Sequence, residues 1–134
     1  MLVRGESVAV KLALISPWLA ESEIKEGAYV VLRWVGEDPQ GQGLEDGMSL
    51  VKKVGCLPGH DLRVTKHGAW CDGRYLMSVP DRNSRGLPVA AALFDGQIPS
   101  GRVFLIGDIP KSYDSRFWGV VPITQLTHIV RFAF

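Results

Sequence analysis

The stretch RVFLIGDIPKSYDSRFWGVVP, residues 102–122, changes character twice. Residues 102–106 form a β-branched and aromatic run, the composition of a strand. Residues 107–119 (GDIPKSYDSRFWG) are polar and bracketed by glycines, which reads as a loop. Val120, Val121 and Pro122 then return to apolar character. On chemistry alone this loop is a solvated surface segment in which Asp114 and Arg116 make a local ion pair, since most loop charges simply face water.

The same texture extends outward in both directions. Residues 28–35 (AYVVLRWV) follow Glu26-Gly27 and read as a strand. Residues 49–55 (SLVKKVG) read as another, ending in the turn signal Leu57-Pro58-Gly59. Residues 61–66 alternate, with Leu62 and Val64 on one face. Residues 69–77 read as a hairpin about Asp72-Gly73, and residues 127–134 (THIVRFAF) close the set. Residues 36–47 and 79–88 read as long loops. Helical evidence is confined to one or two turns over residues 18–25, and no segment sustains a 3.6-residue period over three turns. The expected fold is one mostly β domain over residues 1–134, an antiparallel barrel or sheet with long loops and little helix.

Composition narrows the function. The 134 residues suit one domain, and 46% hydrophobic content argues against disorder. Fifteen basic residues balance fourteen acidic ones, leaving +1 and no electrostatic case for nucleic acid. No run reaches the roughly 18 to 20 apolar residues needed to span a bilayer. His60, His67 and His128 are scattered and have no companion pattern for zinc, so neither a metal nor an organic cofactor is expected. Cys56 and Cys71 permit one disulfide without demonstrating it.

Residue order carries more. Ile98-Pro99-Ser100-Gly101, a hydrophobic strand, Gly107-Asp108, and then Ser112, Asp114, Ser115, Arg116, Trp118, Gly119 and Pro122 resemble the C-terminal signature of type I signal peptidases. Ile109-Pro110 departs from it, and the shortened loop is most similar to the conjugative-transfer, TraF-type branch. That family carries its general base on a lysine six residues before the proline of a Leu-Pro-Gly-Asp turn. Counting back from Pro58 gives Lys52. Period-two geometry puts Lys52 and Lys53 on opposite faces, so one of them can enter a site. His60 stands where the family's turn has Asp.

The resemblance implies a serine peptidase with a Ser/Lys dyad, acting on an exported precursor such as a pilin or other conjugation component. Its nucleophile falls at Ser7, in the stretch Ser7-Val8-Ala9-Val10-Lys11-Leu12, where Ala9 replaces the motif's proline. Ser16 and Ser22 are rivals, and a domain with no nucleophile is a further reading. A serine hydroxyl needs a base, and a lysine serves only when neutral. Moving an amine from about 10.4 to about 8 means about 3 kcal/mol of differential destabilisation, which burial among Leu50, Val51, Val54 and Leu57 can supply. By resemblance, Ser112 bonds the amine, and Asp114, Arg116 and Asp108 support the loop. The family's site faces the periplasm from the inner membrane, implying an N-terminal anchor upstream of this chain. In that compartment a Cys56–Cys71 bridge can persist, the alternative being two buried thiols. Two other functions stay open: an inactive assembly factor or chaperone on the same scaffold, and a self-cleaving repressor-like protease.

Overall fold

The computed structural model describes residues 13–17 and 23–132. Ten strands and one short helix follow in the order β1 (Ala13–Pro17), β2 (Tyr29–Arg33), β3 (Ser49–Cys56), β4 (Asp61–Val64), β5 (Gly68–Cys71), β6 (Arg74–Ser78), β7 (Phe94–Gln97), β8 (Arg102–Ile106), α1 (Ser115–Trp118), β9 (Val121–Pro122) and β10 (Leu126–Phe132). They form two sheets, one of six strands in the order β1-β10-β2-β3-β8-β9 and one of four in the order β6-β5-β4-β7. Every pairing is antiparallel. Among the described residues no helix is long and apolar enough to cross a membrane.

β8 sets the architecture because it is buried on both faces. Phe104 and Ile106 point into a core shared with Leu62, Val64, Ala69 and Ile98 of the small-sheet side. Val103 and Leu105 point the other way, into a core with Val30, Leu32, Val54 and Trp34. A strand whose two faces each meet a core reads as a continuous apolar run, which is what residues 103–106 are. α1 continues the division: Phe117 joins the first core and Trp118 packs against the second.

The hairpin at Asp72-Gly73 has φ of 50° and 77° at its two central residues, the left-handed pair that a two-residue type I′ turn needs. It brings Cys71 to Cys56, joined by a disulfide with Cα atoms 5.7 Å apart. Both half-cystines are fully buried. The bridge spans a sequence separation of 15, for which chain entropy gives about 3 kcal/mol of stabilisation. The turn at Leu57–His60 closes through backbone groups, the His60 N–H donating to the Leu57 carbonyl at 3.2 Å and the Gly59 N–H to that of Ile98 at 2.8 Å. The turn therefore closes through its main chain with histidine at position 60.

Candidate active site

Lys52 and Lys53 sit side by side on β3 and point to opposite faces. Lys53 is a third exposed and lies 3.8 Å from Asp108. Asp108 also accepts from the Tyr29 hydroxyl at 3.0 Å. Burial first, and then that carboxylate, push the Tyr29 phenol up to about 12. Asp108 thus works on the Lys53 face and is not among the residues lining the cleft beside Lys52.

Lys52 is 5% exposed. It shares its face with Leu50 and Val54, and its Nζ lies 5.9 Å from the centre of the Trp118 ring. That ring packs in turn on Trp34, the centroids 4.9 Å apart. Apolar burial disfavours an ammonium while the face of an indole favours one. The amine sits between those two influences.

Beside Lys52 opens a cleft of about 680 Å³, lined by β3 from Ser49, by residues 42–44, by residues 83–85 and by residues 109–113. Its floor has a sheet edge that no described strand covers. β8 pairs with β3 only from Lys53 onward, its last partner being Ile106. Val54 exchanges backbone hydrogen bonds on the β2 side, through Ala28 and Gly27. Two-residue alternation then turns the N–H and C=O groups of Val51 and Ser49 toward the side where β8 has ended. No described strand pairs with them there.

The far wall is held by a buried ion pair. Asp114 caps α1 and accepts the Arg116 backbone N–H at 3.0 Å. Its carboxylate also takes the Arg116 Nε and Nη2 at 2.8 and 2.9 Å, and the Gly107 N–H at 2.9 Å. Nη1 of Arg116 donates to the carbonyls of Ser78 and Pro110 at 2.6 and 2.7 Å, and Nη2 donates also to that of Ser112 at 2.9 Å. All five guanidinium N–H groups are therefore used, with both side chains fully buried. The pair ties β6, the 107–112 loop and α1 together, and so fixes Ser112. The Ser112 hydroxyl is buried beside the cleft with no hydrogen-bond partner among the described residues, so the bond to the lysine amine expected from the sequence is not made here.

The near wall is a polar network that sequence reading missed. Asp38 accepts the backbone N–H groups of Gln40, Gln42 and Leu44 at 3.0, 2.6 and 2.9 Å, and also the Tyr113 hydroxyl. Burial opposes its charge, but these four donors outweigh it and hold its carboxyl below the usual range. Tyr113 is pushed above its ordinary value, by burial and then by Asp38. The Gln40 side chain bridges Ala90 and Phe117, and Asn83 donates to the Gln42 side chain. The residue types were visible as a loop of Asp, Gln and Gly, but nothing in their spacing names a partner some 75 residues away.

The side chains of the serines named as nucleophile candidates are not described. Ser7, like Ser22, lies outside the described residues. Ser16 is in β1, where the backbone alone is described. Residues 18–22 of the expected helical turn are likewise outside.

Three comparisons bear on this arrangement. The family model for signal peptidase, peptidase S26, matches residues 2–134. The chain belongs to that family. It is 31% identical over 101 residues to a probable signal peptidase I-1 of Synechocystis, covering 71% of this chain and 47% of that protein. It is 34% identical over 89 residues to the conjugal transfer protein TraF of Agrobacterium tumefaciens, covering 63% of this chain and 48% of that one. The chain spans about half the length of these curated relatives. A crystal structure of a signal peptidase I from Enterococcus faecalis covers 78% of this chain and is itself 94% covered, at a TM-score of 0.47 and 19% identity. In this S26 family member, then, Lys52 lines the cleft, and the buried Asp114–Arg116 pair holds the wall that carries Ser112.

Near the disulfide, His60 and Asp72 form an exposed pair at 2.5 Å. The hydrogen bond to Asp72 raises the histidine above 6.5, and the same bond lowers Asp72 below 3.8. The histidine's contribution to stability is complete below 6.5 and is lost as pH rises through its raised value. The carboxylate's is complete above 3.8 and is lost as pH falls. The pair therefore contributes fully between 3.8 and 6.5. An NMR titration of the His60 ring is expected to give a midpoint above 6.5 that drops in Asp72→Asn. An unchanged midpoint in that variant would contradict the pairing.

Proposed function

We propose that this chain is the catalytic domain of a serine endopeptidase of the TraF-like signal-peptidase type, with Ser7 as nucleophile and Lys52 as general base. The observation that carries the reading is Lys52, a lysine 5% exposed at the head of a cleft whose β edge no described strand covers. A buried lysine with an apolar face around it is costly to keep, and a site beside an unpaired strand edge suits an extended peptide, which can hydrogen-bond to Val51 and Ser49 as an added strand.

The chemistry balances within the chain's own groups. The Ser7 Oγ attacks the scissile carbonyl carbon as its proton passes to the Lys52 Nζ. The tetrahedral oxyanion is met by backbone N–H donors, that of Ser7 among them. The carbon–nitrogen bond breaks as Lys52 returns the proton to the leaving amine, leaving an ester on Ser7. Water then attacks the ester, Lys52 takes its proton, and Ser7 is restored. The unpartnered Ser112 hydroxyl supports this role for Lys52, since it is a buried acceptor on the same cleft that an amine N–H can satisfy. The substrate would be an exported precursor, a pilin or other conjugation component cut after small residues. The site would work at the periplasmic face of the inner membrane, on a chain tethered by an N-terminal helix. The similarity to TraF of Agrobacterium tumefaciens supports the conjugative branch.

The test is cleavage of an internally quenched precursor peptide with small residues before the scissile bond. Wild type is expected to cleave it, and Ser7→Ala and Lys52→Met are expected not to. A Ser7→Ala protein that still cleaves removes Ser7 from the mechanism.

A further inference from the structure

The cleft beside Lys52 is electrostatically one-sided. Beside Lys52, which the peptidase reading needs neutral, its described lining includes the cations Arg85 and Lys111 and no carboxylate, in a chain whose charges otherwise nearly cancel. Lys52 is buried at its head, while Arg85 and Lys111 are exposed. Neither Arg85 nor Lys111 has an ion-pair partner among the described residues.

Arg85 is also held in place. Its loop is folded by the Asn83 side chain, which accepts the N–H groups of Arg85 and Leu87 at 2.9 and 3.0 Å. Gly86, with φ of 77°, completes the turn, and Asn83 in turn donates to Gln42 across the cleft. Lys111 lies between Pro110 and Ser112, whose carbonyls Arg116 fixes. Both cations thus stand on anchored backbone over the groove, where a bound strand would pass. Charge of one sign carried on anchored backbone at such a place discriminates among ligands by sign.

From this geometry we infer that the cleft selects precursor segments carrying an acidic side chain close to the scissile bond, with Arg85 and Lys111 as the specificity-determining residues. The inference rests on the peptidase reading for its substrate class, but the charge preference itself is a binding property. An extended peptide whose carboxylate reaches Arg85 or Lys111 gains an attraction that the same peptide with lysine turns into repulsion. Exposed pairs are individually weak, so the swing from Glu to Lys at the best position is expected to be about tenfold in affinity at low salt, shrinking as salt screens it.

The experiment uses the full chain and a set of fluorescent peptides that differ only by Glu, Gln or Lys placed at each position in turn. Anisotropy is read at low and high ionic strength. The expected result is a Glu preference at one or two positions that fades with salt and inverts to a Lys preference in Arg85→Glu/Lys111→Glu. Equal binding of all three series, or a preference the double variant leaves intact, overturns the inference. So does a double variant that changes only attachment to vesicles of anionic phospholipid, because the cations then serve a membrane surface. Cleavage of the same peptides separates the two readings. Charge-selective binding without cleavage retains the inference and sinks the peptidase, whereas charge-blind cleavage does the reverse.

Discussion

With Lys52 replaced by methionine, cleavage of a precursor peptide is expected to fall by at least about 10³-fold, the scale of a lost general base, while the chain stays folded. Methionine matches the length of the lysine stem and keeps the packing against Leu50, Val54 and Trp118, but offers no base. The two readouts therefore move apart. Burying a thioether is favourable, which offsets the loss of the amine's own contacts, so the melting temperature is expected to fall by no more than a few degrees. A lysine present for stability alone gives the opposite pair of results, with activity retained and stability lost. Lys53→Met is the matched control. It disturbs a partly exposed contact with Asp108 of small value, and activity is expected to stay within about threefold of wild type, the scale of a weak surface pair.

Arg116→Leu is expected to be the most destabilising single substitution at the site, costing about 3–5 kcal/mol as a broken buried ion pair. It strands the Asp114 carboxylate in a fully buried position and leaves the carbonyls of Ser78, Pro110 and Ser112 without their donors. For a chain of this size that corresponds to a fall in Tm of about 11–18 °C, measurable by calorimetry or chemical denaturation. The pair should be strongly non-additive. Adding Asp114→Asn to Arg116→Leu removes the stranded charge, so the double variant is expected to be no worse than the single. A loss under about 1 kcal/mol in Arg116→Leu, the value of a surface pair, would mean that water reaches the pair.

Most strands were legible because each of them has its own local signal. The run at residues 102–106, the β-branched stretch of β2 and the Asp72-Gly73 turn each predict their element from composition. The mostly β class follows, although the division into two sheets does not, since it depends on β8 being buried on both faces. β7 was missed because Phe94, Gly96 and Gln97 lack β-branching, and its strand character comes from pairing with β4. α1 was missed because four residues carry no periodicity. Its one local signal is the cap, Asp114, and an N-cap is a weak signal without a helix behind it.

The site divides the same way. Lys52 could be placed by counting back from Pro58, and the pleat alone then separates it from Lys53. The Asp114–Arg116 contact could be read from an i, i+2 spacing, but the three carbonyls that use up the guanidinium could not, because β6 lies 38 residues away in sequence. Asp108 was grouped with the site from its place in the motif, whereas its described partners are on the other face of the sheet. The Asp38–Tyr113 link, across 75 residues, had no local trace at all. Local chemistry writes strands, turns and caps into neighbouring residues. Long-range polar contacts appear only once the chain is folded.

The most direct measurement is intact mass and peptide mapping of the chain after brief mixing with an activated ester of a small-residue peptide. The account predicts one acyl group on Ser7, formed by wild type and absent from Lys52→Met. Wild-type protein that turns over the peptide while carrying the acyl group on another residue, or that acylates Ser7 equally well without Lys52, would contradict it.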